Sequence, residues 1–380
     1  MDCARPRTGR RAGAPYALLL GLVVGPVGGA PLHLERLSPE DGLPHNTVNA
    51  ILEDRQGFVW LGTDDGLARF DAYEFEAFRF DLVLAATTSN RVTALAEERN
   101  GRLWVGTDRG LHYFDRDRGR LAEGGDTGLA GSHVSTLFED RQGRMWAGGA
   151  DLFVRRGTGR FEAVATPKGP WNAPDSVGRI AETPEGSLLA LRTSLVARRS
   201  LLLRADAGRG RAEVVPVDGP LPATLCLLPE PDGRLRLDPW TVIDLSRGTL
   251  ERAGPRPEPA PIPTACGQGP DGLTWFASDR GIYRRDPRTG RVTHLRPADG
   301  DTHWQRNYIT TLQGGRGGGL WLGSLGGLYH ADPLARRFEW LGNSPGAART
   351  LGADSVSSIA AGRDGEIWVG TFGGGLSRLG

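Results

Sequence analysis

The side chains best placed for chemistry are polar and aromatic groups that lie just before apolar, strand-like stretches: His45, Asn46, Asn90, Arg91, His133 and the run His303-Trp304-Gln305-Arg306-Asn307-Tyr308. Asp65, Arg109 and Arg280 sit in short turns at matching places. The 303–308 run puts two aromatic rings, a guanidinium and two amides into one loop. That combination suits stacking on a sugar or gripping a carboxylate. It does not suit bond-making, which needs a base and an acid or nucleophile held together. The other histidines, His112, His294 and His330, fall on outer strands or their ends, where a solvated role is expected. The HExxH motif is absent, and Gly314 to Gly319 lacks the Lys-Ser/Thr and following helix of a phosphate loop, so it reads as a turn between strands. No residue is assigned a catalytic role, no metal-ligand spacing occurs, and no cofactor is expected.

These groups are spaced by a repeat. Tryptophans at 60, 104, 146, 275, 321 and 368 each stand in a segment such as DRQGFVWLGTDDGLARFD (54–71) or RNGRLWVGTDRGLHYFD (99–115). Two weaker copies carry Leu189 and Arg236 in place of the tryptophan. Successive positions are then 44, 42, 43, 47, 39, 46 and 47 residues apart, close to what one four-stranded propeller blade requires. Within a unit, 48–52 is an apolar inner strand a, and Asp54-Arg55-Gln56-Gly57 is a turn. Strand b runs over 58–63 and sends Trp60 into the wedge between neighbouring blades. Asp64-Asp65-Gly66 turns the chain into strand c at 67–70, and 73–80 supplies the outer strand d.

The predicted fold is an all-β propeller of four-stranded blades. Residues 32–37 read as an orphan strand d, which would pair with the final a-b-c set and close a ring of eight. The alternative is a seven-bladed ring, with residues from about 336 onward beginning a second propeller. In either ring the d–a and b–c loops share one face around a central channel. The expected ligand-binding rim is therefore His45, Asn46, Asp65, Asn90, Arg91, Arg109, His133, Arg280, Trp304, Arg306, Asn307 and Tyr308.

Composition narrows the partners. With 46 Lys and Arg against 45 Asp and Glu and no basic tract, nucleic acid is not an expected partner. Residues 1–30 have the layout of a signal peptide: Arg5, Arg7, Arg10 and Arg11 precede the apolar run 14–27, and Gly28-Gly29-Ala30 follows. The apolar run is too short for a membrane-spanning helix, so residues 31–380 are expected in the periplasm as one propeller of eight repeats. Cys226 and Cys266 occupy near-equivalent places in successive repeats. They could pair in an oxidising compartment, although two small buried apolar side chains is the reading preferred.

The segment LPHNTVNAILEDRQGFVWLGTDDGLARFD (43–71) resembles the opening of the two-component regulator propeller family, extracytoplasmic sensor regions of bacterial signalling proteins. The W-[LV]-G-T-x-x-G-L core is clear at Trp60 and Trp104, recognisable at Trp275, Trp321 and Trp368, and poor over 146–245. The resemblance implies a non-catalytic ligand sensor of a two-component or cyclic-di-GMP signalling protein. Such proteins usually continue into a second propeller, a small β-sandwich, a membrane helix and a histidine kinase or diguanylate cyclase. The expected partner is thus a small molecule or oligosaccharide. Membrane contact would come only through a further C-terminal region, and dimerisation only in a longer parent protein. Two other functions stay open: a propeller lyase or glycosidase working at the channel, and a structural interaction platform using the blade edges.

Overall fold

The computed structural model describes residues 34–80, 89–123, 127–224, 226–254, 263–269, 272–278, 281–295, 308–316, 319–331, 350–362 and 366–379. The 1–30 segment lies outside them. Blade 1 follows its sequence closely, with strands Val48–Glu53, Val59–Thr63, Gly66–Phe70 and Phe75–Phe78 in consecutive antiparallel order. The b–c turn needs glycine because Gly66 has φ +107°, and a Cβ there would lie 2.5 Å from the Phe78 carbonyl oxygen. Blades 2 to 6 repeat the order over Val92–Glu123, Val134–Val164, Ser176–Val214, Leu228–Arg252 and Pro263–Leu295. No helix among the described residues is long and apolar enough to cross a membrane.

The expected eight-bladed closure is corrected by strand pairing. Glu35–Leu37 does act as an outer strand, but it pairs with Gly327–Ala331 of the seventh set, not with the last one. The ring therefore closes at seven blades, the alternative drawn from the sequence. The last set, Val356–Ala361, Ile367–Thr371 and Gly375–Leu379, forms a separate three-stranded sheet whose inner strand is exposed throughout. The physical reason lies at the seam between blades 7 and 1. Thr310 Oγ1 donates to the Val48 carbonyl, and the Arg316 N–H donates to Glu53 Oε2 at 2.8 Å.

Those two bonds are the closing members of two belts. The inner strands of blades 1 to 3 and 7 bulge one residue in, as between Val48 and Ala50 or Val92 and Ala94, and the bulged side chain reaches the next blade. Asn49 donates to Val92 O at 3.0 Å, Thr93 to Val134 O at 2.5 Å and Ser135 to Val177 O at 2.8 Å. On the opposite face, the Glu ending each inner strand accepts a turn N–H from the blade before it: Arg55 to Glu97, Arg99 to Glu139 and Arg141 to Glu182. Both belts run from blade 7 through 1, 2 and 3 to blade 4. Beyond that they lapse among the described residues: blade 4 has Gly178 at the bulge, blade 5 keeps an inner strand of only Leu228–Pro229, and the buried Thr264 hydroxyl of blade 6 has no partner.

A covalent link stands in the belt-free arc. Cys226 and Cys266 form a disulfide between blades 5 and 6, with Cα atoms 5.6 Å apart, which corrects the preferred reading of two unlinked thiols. Their near-equivalent positions in adjacent blades bring the two Cα atoms within bridging range. Cys226→Ser is expected to lower the unfolding free energy by about 2–4 kcal/mol. Equal urea midpoints for oxidised and reduced protein would show that the bridge adds nothing.

The core sits between blades, as the tryptophan spacing predicts. Trp60 is fully buried, 4.8 Å from Phe114 of blade 2, and its Nε1 donates to Asp54 Oδ2 at 2.8 Å. Asp54 also accepts the turn N–H groups of Gln56 and Phe58. Asp140 and Trp146 repeat the arrangement in blade 3. In the separate last sheet Trp368 is only half-buried, with no neighbouring blade packed on it among the described residues.

Candidate functional site

The inner strands surround a cavity of about 430 Å³ at the end of the channel where the d–a loops arrive. Its wall is built by the bulges described above: Asn49, Thr93, Ser135 and Thr310 face it while anchoring neighbouring blades. Ser176 adds a further hydroxyl. Arg179 enters from blade 4, at the position held by Ala50, Ala94 and Thr136 in blades 1 to 3. Its Nη1 donates to the Gly178 carbonyl at 3.2 Å, and desolvation inside the channel lowers its pKa. No Asp or Glu is among the described residues that line the cavity. The chemistry on offer is recognition of a polar, oxygen-bearing molecule, with one guanidinium to hold negative charge.

Of the rim residues expected from the sequence, His133 and Tyr308 do line this cavity. His133 has its pKa lowered by desolvation, against the pull of nearby Asp108. Tyr308 is 48% exposed. The others serve their own turns. His45 Nδ1 accepts the Thr47 N–H at 3.0 Å, with Asn46 exposed beside it. Asp65 is paired with Arg79 at 2.8 Å, and Arg91 with Asp64 at 3.2 Å. Asn90 Oδ1 caps the Phe80 N–H, and the Arg109 backbone ties Thr107 to Gly131. Arg280, Trp304, Arg306 and Asn307 lie outside the described residues.

Two expectations about the remaining polar groups are revised or met. His112 is not solvated: it is 5% exposed, its ring centre lies 4.4 Å from that of Phe80, and burial lowers its pKa to about 4. His294 and His330 stack on Tyr283 and Trp321. The glycine run after 313 does close a turn, with the Gly315 N–H on the Gly319 carbonyl. Arg179 was missed because the loops alone were read as the rim. Its signal is nevertheless in the sequence, as the one charged residue where the repeat places Ala or Thr.

Comparison with known proteins agrees with this architecture. The model of the family described as "two component regulator propeller" matches residues 42–65, 88–109, 128–151 and 350–373. The structure is similar to the extracellular domain of a proposed hybrid two component system of B. thetaiotaomicron, with TM-score 0.63 and 15% identity over 92% of this chain and 52% of that one. A second such domain from the same organism gives TM-score 0.60 and 16% identity over 92% and 53%. The virginiamycin B lyase of Staphylococcus aureus gives TM-score 0.58 and 13% identity over 79% and 98%. The chain thus spans about half the length of the two-component structures, and at these identities the likeness is one of fold. No curated protein matches the sequence.

Proposed function

Starting from a chain four of whose repeats match the two component regulator propeller family, we propose that it is the extracytoplasmic sensor part of a signalling protein and binds a small polar ligand at the channel mouth. The observation that carries this reading is Arg179 standing in a hydroxyl- and amide-lined cavity with no carboxylate among its described lining residues. The same feature weighs against a glycosidase, which needs paired carboxylates across its substrate. The disulfide and the basic-then-apolar layout of residues 1–30 support an oxidising location outside the cytoplasm.

The ligand is expected to carry negative charge or a dense set of oxygen acceptors. A thermal-shift screen of small acids, neutral sugars and acidic sugars should return compounds that raise Tm in the parent protein and fail to do so in Arg179→Gln and Tyr308→Ala. Neither substitution removes a packed core side chain, so the unliganded Tm should change little. Ligands whose stabilisation survives both substitutions bind elsewhere, and that result would remove the channel as the site.

A further inference from the structure

We propose a second binding site, for a small oxoanion, in the crevice between blades 2 and 3 on the face opposite the channel mouth. It arises where blade 2 departs from its neighbours. In blades 1 and 3 the buried indole N–H is satisfied by an aspartate, Asp54 for Trp60 and Asp140 for Trp146, each at 2.8 Å. Blade 2 carries Glu98 instead. Its carboxylate is taken by Arg155 of blade 3 and by Asn100 Nδ2 at 2.9 Å. Trp104, only 2% exposed, is left with an Nε1–H that has no acceptor, and the Nε–H of Arg155 is likewise without one. Buried donors of this kind are costly to leave empty, and they occur where something fills the gap.

Beside them is a cavity of about 260 Å³ lined by Arg102, Trp104, Thr127, Arg155, Thr158 and Arg160. It is far larger than the roughly 30 Å³ of one water molecule. None of its described lining residues is acidic. Glu98 answers Arg155, whereas Arg102 makes no ion pair among the described residues; its guanidinium lies over the rings of Trp104 at 5.5 Å and Tyr113 at 5.2 Å. Being exposed and held mainly by these rings, Arg102 is free to swing aside and admit an anion to the donors behind it. An oxoanion can accept several N–H and O–H bonds at once and answer the charge of Arg102, which a water cannot do. Sulfate, phosphate and carboxylate share that chemistry.

The test follows the indole itself. In protein labelled with 15N, the Trp104 Nε1–H resonance is assigned by its loss in Trp104→Phe and followed during titration with sulfate, phosphate or acetate, against chloride at equal ionic strength. A saturable shift with an oxoanion but not with chloride is expected. Arg102→Gln should weaken the apparent affinity about tenfold, the effect of losing one charge-assisted contact. Preference for sulfate and phosphate, or for acetate, tells which group the site was built for. Because Trp104 donates no hydrogen bond, Trp104→Phe should lower the unfolding midpoint less than Trp60→Phe, which loses the bond to Asp54 along with the same ring volume. No saturable shift, an equal shift with chloride, or an affinity indifferent to Arg102→Gln would overturn the proposal.

Discussion

Replacing Glu230 with Ala is expected to destabilise the fold by about 3–5 kcal/mol, the cost of leaving buried cations without their acid. Glu230 stands where Asp54 stands in blade 1, and Arg236 occupies the tryptophan position, 1% exposed. Arg236 Nε donates to Oε1 at 2.7 Å and its Nη2 to Oε2 at 3.2 Å. Arg285 of blade 6 donates to the same Oε1 at 3.0 Å. One carboxylate therefore serves two buried guanidiniums. Burial, followed by the like charge of Arg236, lowers the Arg285 pKa, while Glu230 works the other way. Without Glu230 the weaker pull of Asp232 is left against burial and the like charges of Arg236 and Arg234. The double change Glu230→Asp with Arg236→Trp restores the pairing of blades 1 and 3 and should recover most of the loss. Urea midpoints at constant m-value report both results. A single substitution that costs less than about 1 kcal/mol would show that water reaches the arginines.

Trp60→Ala is expected to cost about 3–5 kcal/mol as well, here through a cavity. The ring is completely buried against Phe78 and Phe114 and joins the apolar side chains of blades 1 and 2. A change below about 1 kcal/mol would mean that the ring is not wedged between blades. The substitution also reaches Asp54. Burial alone would push the Asp54 carboxyl up, but hydrogen bonds from Trp60, Arg116 and the Phe58 N–H hold it below the ordinary range. A depressed carboxyl contributes stability that is complete above the unfolded pKa of about 3.9 and is lost as pH falls toward the folded value. Removing the indole donor raises the folded pKa, so Trp60→Phe should flatten the acid limb of stability against pH. An unchanged acid limb would show that Arg116 and the turn hold the carboxylate without the indole.

The blades were legible in the sequence because each carries a glycine in the turn before strand b at a spacing near 44 residues, and most add a tryptophan strand and a glycine at the b–c turn. The two weak copies were placed correctly because Leu189 and Arg236 keep the spacing and remain buried. Closure was not legible. The seventh and eighth sets, LWLGS and IWVGT, are near twins along the chain, and nothing local says which of them residues 35–37 will meet. The disulfide was hidden for a related reason, since position within a repeat does not reveal how far apart two adjacent inner strands lie. For the site, loop composition located His133 and Tyr308 at the channel. It could not show that His45, Asp65, Asn90 and Arg91 would be absorbed by caps and ion pairs, nor that a bulge would bring Arg179 from an inner strand.

The lopsided belts make the ring two arcs of unequal stiffness. From blade 7 through blade 4, each junction is fastened on both faces by a polar bond, so neighbouring blades there resist both sliding and splaying. From blade 4 round to blade 7 neither belt is present among the described residues; the Asp218 N–H on the Gly248 carbonyl at 2.7 Å joins blades 4 and 5 at their outer edge, and the disulfide and the Glu230–Arg285 pair fasten blades 5 and 6. Widening the channel is therefore easiest in the second arc. Arg179 projects from blade 4, where the two arcs meet, while Asn49, Thr93 and Ser135 sit within the stiff one. A ligand held between Arg179 and those side chains spans a fixed jaw and the edge of a movable one, so its grip could be converted into a change in ring width.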